Sequence, residues 1–167
     1  LNEFCKVIYL PRTEGISSTQ LREESQPRYK LGMIGTGRIA RRFVPELKYV
    51  NGVEIVSVLN PDKKSADLFA SEFQIENSFY DFNQFIDSID VVYIASPHLT
   101  HYGYIKDSLN KGKHVLCEIP LVLSGEEAKQ LYELAASKNL VLLEASKTAH
   151  CPAFNHLVTL VKSGVIG

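Results

Sequence analysis

Three small residues, Gly35, Gly37 and Ala40, stand at G-x-G-x-x-A spacing directly after the apolar stretch 31–34. That spacing suits the phosphates of a dinucleotide. A glycine at 35 can take a tight turn, and a glycine at 37 has no Cβ to hold a pyrophosphate off the backbone. Alanine at 40 lets the next helix lie close to the strand. The first N–H groups of that helix and its dipole then face the phosphates. Thr36, Arg38 and Ile39 share the turn, with Arg38 placed to touch a phosphate, while Arg41 and Arg42 read as a solvated face. The second landmark is the end of the next apolar stretch, where an NAD site usually puts Asp or Glu to hold both adenosine-ribose hydroxyls. Here that residue is Asn60, followed by Pro61 and Asp62. Asn bonds a ribose hydroxyl without repelling a 2′-phosphate, so NAD and NADP are both admitted. The same three residues also read as a helix start with Pro61 at its first position.

These groups need a frame, and from residue 29 onward short apolar runs alternate with helical periods. The pattern predicts strands over 29–34, 53–59, 79–80, 90–95, 113–118 and 140–144. Helices are predicted over 38–48, 62–73, 82–86, 99–110, 125–138 and 152–163. Pro45 stands where it can kink or shorten the first helix, and Leu68, Phe69 and Phe73 are expected to face inward from the second. Strands alternating with helices over short loops form parallel β-α-β units, with strands buried on both faces. The expected fold class is α/β, a doubly wound parallel sheet of about six strands, Rossmann-like. Residues 1–28 stand outside this pattern: a strand at 6–10, a polar turn at 11–19, a helical start at 20–24 and a linker at 26–28. A lone strand needs a partner, either the edge of this sheet or strands elsewhere.

Bulk properties narrow the classes further. The chain has 167 residues, 45% of them hydrophobic, and a net charge of −1, which describes one globular domain with a little extra. Without a basic stripe or acidic tail, nucleic acid is not an expected partner. No apolar run reaches 18 residues and the first residues carry no signal-peptide pattern, so no membrane partner and a cytoplasmic location are expected. Cys5, Cys117 and Cys151 are odd in number and share no metal-ligand spacing, so they read as thiols in a reducing compartment and no metal is expected.

Residues 29–167 resemble the nucleotide-binding half of the glucose-fructose oxidoreductase/inositol dehydrogenase (Gfo/Idh/MocA) family. The resemblance rests on Gly35-Thr-Gly-Arg-Ile-Ala40, on Ala95-Ser-Pro-His98 with His101, on Gly112-Lys-His-Val-Leu-Cys-Glu-Ile-Pro120, and on Ser163-Gly-Val-Ile-Gly167. It implies an NAD(P)-dependent oxidoreductase acting on hydroxyl groups of sugars, polyols or related small molecules. A second α/β domain, carrying most of the substrate pocket and the dimer sheet, is expected beyond Gly167, leaving this chain a monomer or weak dimer. The resemblance also makes His98 and His101 cofactor or substrate contacts, places Glu118 near the nicotinamide ribose, and lets Ser96 and Pro97 shape that wall through their backbone. His114, His150 and His156 read as structural or surface groups.

One position departs from the family. Members usually carry Glu-Lys-Pro where this chain has Glu118-Ile119-Pro120. Isoleucine neither donates nor accepts a proton, so the family's acid/base group is missing there. Lys147 follows the sixth predicted strand, which neighbours the fifth, and both ends open onto the same crevice, so Lys147 reads either as the catalytic candidate or as a solvated loop lysine. Residues 11–19, Pro-Arg-Thr-Glu-Gly-Ile-Ser-Ser-Thr, resemble the closing motif of glycerol-3-phosphate cytidylyltransferases, in which Arg and hydroxyl groups at a helix start hold CTP phosphates. The His-x-Gly-His element of those enzymes is missing. Residues 1–28 are therefore expected to be the tail of a preceding cytidylyltransferase-like domain, and the parent an oxidoreductase fused to it. The alternatives are a non-catalytic nucleotide-binding module, or a parent whose main activity is cytidylyl transfer.

Overall fold

A computed structural model describes residues 29–165, so the expectations for residues 1–28 lie outside the described residues. Six strands, β1 (Tyr29–Ile34), β2 (Val53–Leu59), β3 (Asn77–Phe79), β4 (Val91–Ile94), β5 (His114–Cys117) and β6 (Leu142–Glu144), form one sheet. Its order is β3-β2-β1-β4-β5-β6, and every neighbouring pair is parallel. This is the doubly wound arrangement expected from the alternating pattern. It opens a crevice at the carboxyl ends of β1 and β4, where the strand order reverses and ligands bind in such sheets.

The helices α1 (Arg38–Leu47), α2 (Lys63–Phe73), α3 (Phe82–Ile86), α4 (His101–Asn110), α5 (Gly125–Ser137) and α6 (Pro152–Lys162) cover this sheet unevenly. On one face Ala40 and Val44 of α1 and Phe69 and Ala70 of α2 bury Leu31, Met33 and Val58. On the other, α3, α4 and α5 bring Phe85, Ile86, Ile105, Leu109 and Leu131 onto Ile34, Val92, Ile94 and Val115. The first face is covered over β1–β3 and largely open over β5 and β6, where Leu143 is half-exposed. α6 buries none of its residues.

The differences from expectation are local and have physical reasons. Leu68 is exposed rather than inward. The buried stripe of α2 runs through Ala66, Phe69 and Ala70, and Leu68 lies about 100° around the helix from Phe69. Pro61 is not the first helical residue: Asp62 caps α2, its carboxylate accepting from the Ser65 N–H. The third strand sits at Asn77–Phe79 rather than 79–80, polar in two of its three residues because it lies at the sheet edge. The expected helix over 99–110 opens as a 3-10 turn, His98–Thr100, before α4 begins. Pro45 is tolerated inside α1, near its last turn.

Candidate functional site

The turn after β1 is held from two sides. The Gly35 N–H donates to the Leu59 carbonyl (2.9 Å) and the Ala95 N–H to the Ile34 carbonyl (2.8 Å), so β2 and β4 both grip it. Gly35 adopts φ +105°, and a Cβ there would stand 2.5 Å from the Ala95 carbonyl oxygen. The fold itself demands this glycine. Gly37 is different: its φ is −75°, and a Cβ would meet no heavy atom within 4 Å. Nothing in the chain requires glycine there, which is the property of a backbone surface kept clear for a ligand. Gly37 is also the N-cap of α1, without a side-chain cap and without an acidic residue in the first turn. The leading N–H groups of α1 therefore keep their hydrogen-bonding capacity and their dipole field for an anion. Arg38 and Ile39 are exposed beside them, and Ala40 is fully buried beneath.

Asn60 joins the turn to the end of β2. Its Nδ2 donates to Thr36 Oγ1 (2.7 Å), and its Oδ1 accepts from the Asp62 N–H (2.9 Å). An amide with one remaining N–H and a lone pair can address a ribose hydroxyl, and no carboxylate takes its place to repel a 2′-phosphate.

The opposite wall follows β4 and β5. Thr100 Oγ1 donates to the Pro97 carbonyl (2.7 Å), so in the 2.7 Å contact between Ser96 and Thr100 the Ser96 hydroxyl is the donor. These bonds shape the Ser96-Pro97 backbone. His101 is fully buried. Its Nδ1 lies 3.0 Å from the Pro120 carbonyl and its Nε2 2.9 Å from the Ser96 carbonyl. Both ring nitrogens face main-chain carbonyls, and a neutral imidazole donates to one of them, so His101 bridges the loops after β4 and β5 with both nitrogens turned to main chain rather than to the crevice. His98 is exposed, its ring 5.4 Å from that of His101. His114 accepts the Val141 N–H at Nδ1 (3.0 Å), the structural role expected of it.

Glu118 follows β5. Its N–H donates to the Ile94 carbonyl (2.9 Å), and its Oε1 accepts from the Tyr93 hydroxyl (2.6 Å). Burial, reinforced by this bond, raises the Tyr93 hydroxyl well above the usual phenol range, so it remains a donor. The Ile119-Pro120 peptide bond is cis. Beyond it, Glu144 Oε1 accepts the Leu121 N–H (2.7 Å). A cleft of about 610 Å³ opens here, bordered by Phe43, Tyr93, Glu118, Ile119, Glu144 and Lys147. It lies beside the phosphate turn and does not include Gly35, Gly37 or Asn60. Ile119 is half-exposed at its rim, and the Lys147 ammonium pairs with Glu46 of α1 at 3.5 Å. Thus Ile119 puts an apolar side chain at the rim, and of the two basic side chains on the cleft, Arg42 and Lys147, the lysine is paired with a carboxylate. Among the described residues no group of three or more His, Cys, Asp or Glu could hold a metal ion, and no helix is long and apolar enough to cross a membrane.

Sequence reasoning missed Tyr93, Thr100 and Glu144, which set the backbone or a carboxylate of this wall. Tyr93 was visible as a strand residue with a polar tip, and only the pairing of Tyr93 with Leu116 shows that the tip reaches Glu118.

Residues 29–146 match the family model described as "Oxidoreductase family, NAD-binding Rossmann fold". The chain is 32% identical over 130 residues to scyllo-inositol 2-dehydrogenase (NADP(+)) IolU of Bacillus subtilis, a match covering 77% of this chain and 40% of that protein. It is 33% identical over 147 residues to the dTDP-3,4-didehydro-2,6-dideoxy-alpha-D-glucose 3-reductase of Streptomyces antibioticus, covering 84% and 44% respectively. Among solved structures, KijD10, a 3-ketoreductase from Actinomadura kijaniata in complex with NADP and TDP-benzene, superposes with a TM-score of 0.78 at 29% identity. That match covers 85% of this chain and 44% of KijD10. The chain thus spans less than half the length of these relatives.

Proposed function

Because this chain belongs to the Gfo/Idh/MocA oxidoreductase family, with its NAD-binding Rossmann fold, we propose that it is the cofactor-binding half of a larger enzyme. That enzyme moves a hydride between a nicotinamide dinucleotide and a hydroxyl-bearing carbon of a sugar, polyol or related small molecule. The clear approach to Gly37 at the N-terminus of α1 carries this reading, since the fold alone gives no reason for a glycine there. In it, the first N–H groups of α1 and Arg38 hold the pyrophosphate, and Thr36 and Asn60 address the adenosine ribose. The Ser96-Pro97 backbone, His98 and Glu118 line the nicotinamide side, behind which His101 fixes the two loops. The bound dinucleotide supplies the hydride donor or acceptor. Proton transfer needs a second group, and Ile119 cannot supply it. Lys147, on the same cleft, is the proposed replacement once released from Glu46. If the longer protein keeps its activity on Lys147→Ala, that role is refuted.

Ile119 also supports a second reading, in which the site binds dinucleotide and signals its presence without turnover. The sequence of residues 11–19 supports extending the first reading to a cytoplasmic parent with a cytidylyltransferase-like domain ahead of this one. Calorimetric titration with NADH, NADPH and CTP tests the core of the proposal. Micromolar binding of one nicotinamide cofactor, roughly −8 kcal/mol, abolished by Gly37→Val, is the expected result; failure to bind either refutes it. Cofactor oxidation by the longer protein with a range of keto-sugars then separates the oxidoreductase from the sensor, and CTP binding tests the tail.

A further inference from the structure

We infer that Tyr93 is a positioning residue: it orients the Glu118 carboxylate so that the remaining oxygen accepts a ribose hydroxyl of the bound dinucleotide. The inference rests on the cofactor-binding reading above. Tyr93 lies in β4, fully buried, with its ring stacked on Phe43 of α1 at a centroid distance of 3.8 Å and an interplanar angle of 14°. Strand register sets Tyr93 opposite Leu116 of β5. Two residues further along β5's direction, Glu118 emerges from the same face, and the Tyr93 hydroxyl meets its Oε1 at 2.6 Å. The Glu118 main chain is tied to β4 as well, through its N–H on the Ile94 carbonyl. Backbone and side chain of Glu118 are thus both anchored on β4, the strand that borders the crevice where the sheet order reverses.

The chemistry of the pair is one-directional. A phenol buried against an aromatic ring keeps its proton, so it donates to Oε1 and cannot compete as an acceptor. Glu118 is half-buried at the cleft margin. A carboxylate held by one oxygen presents the other in a fixed direction. Such an acceptor suits the O–H of a sugar ring and is poorly suited to an anion, which fits the ribose and not the pyrophosphate.

The test is a double-mutant cycle on this chain with its preferred nicotinamide cofactor, read by calorimetry. Wild type, Tyr93→Phe, Glu118→Gln and the double variant are compared. Tyr93→Phe keeps the ring on Phe43 and removes only the hydroxyl. The expected result is a several-fold rise in Kd for each single variant, with the double variant no weaker than Glu118→Gln alone, because the hydroxyl acts only through the carboxylate. A purely structural role would lower affinity by the same factor in either background, and that outcome overturns the inference, as does a Tyr93→Phe affinity equal to wild type. In the wild-type chain, the Tyr93 hydroxyl proton should give a slowly exchanging NMR resonance that is lost in Glu118→Gln; its absence from wild type also overturns the inference. Wild type that binds neither cofactor refutes the reading of the site itself, an outcome distinct from binding that ignores Tyr93.

Discussion

Two glycines two residues apart should respond in opposite ways to one added methyl group. At Gly35, alanine must adopt φ +105° with its Cβ 2.5 Å from the Ala95 carbonyl oxygen. Left-handed backbone costs a non-glycine residue about 1–2 kcal/mol, and forcing extra volume into packed surroundings costs about 1–3 kcal/mol more. For a chain of this size each kcal/mol lowers the melting temperature by about 2–4 °C, so Gly35→Ala should melt roughly 10 °C early. At Gly37 the backbone already suits alanine, with φ −75° and no neighbour within 4 Å. Restricting the unfolded chain there favours folding by about 0.4–1 kcal/mol, and alanine's weaker capping offsets it by a similar amount. Gly37→Ala should therefore melt within about 2 °C of wild type while binding the nicotinamide cofactor at least tenfold more weakly, about 1.4 kcal/mol. Thermal melts by circular dichroism and calorimetric titration on the same samples give both numbers. A Gly37→Ala chain that melts as early as Gly35→Ala would show the glycine at 37 to be structural, and one that binds like wild type would refute the argument that its surface is kept clear for a ligand.

His101→Leu should lower unfolding free energy by about 0.5–1.5 kcal/mol in urea titrations, because the bond from the buried ring to the carbonyl of Ser96 or Pro120 is lost; no loss would mean that the tie between the two loops does not form. Burial, aided by Glu118 and Glu144, pushes the Cys117 thiol up to about 12. The unfolded chain gives up that proton at the ordinary thiol value, so the contribution is fully present below it and is lost as pH climbs towards 12. The slope from this group approaches about 1.4 kcal/mol per pH unit. Urea midpoints measured from pH 8 to pH 10 should fall more steeply for wild type than for Cys117→Ala; parallel curves would contradict the burial argument.

Much of the architecture was legible because parallel strands buried on both faces are written as continuous apolar runs, and residues 29–34 and 53–59 became strands with those same bounds. The edge strand was harder to place, since Asn77 and Ser78 carry no such signal. Leu68 shows the limit of reading hydrophobicity without phase: its neighbour Phe69 holds the buried position. In the site, glycine spacing was visible because backbone conformation is local. The contacts of His101 with the Ser96 and Pro120 carbonyls and the Tyr93–Glu118 bond join residues 5 to 25 positions apart, and only strand register brings them together.

The central place of β1 bears on how the chain is made. Its two flanks are filled at different times: β2 follows within about 20 residues, whereas β4 arrives roughly 60 residues after β1. At a synthesis rate of about 5–20 residues per second, the β4 side of β1 stays open for roughly 3–12 s on the ribosome. During that interval Leu31, Met33 and Ile34 sit on an unpaired edge, the surface on which foreign strands add. The middle of the finished sheet is thus, for some seconds of every synthesis, its most adhesive border.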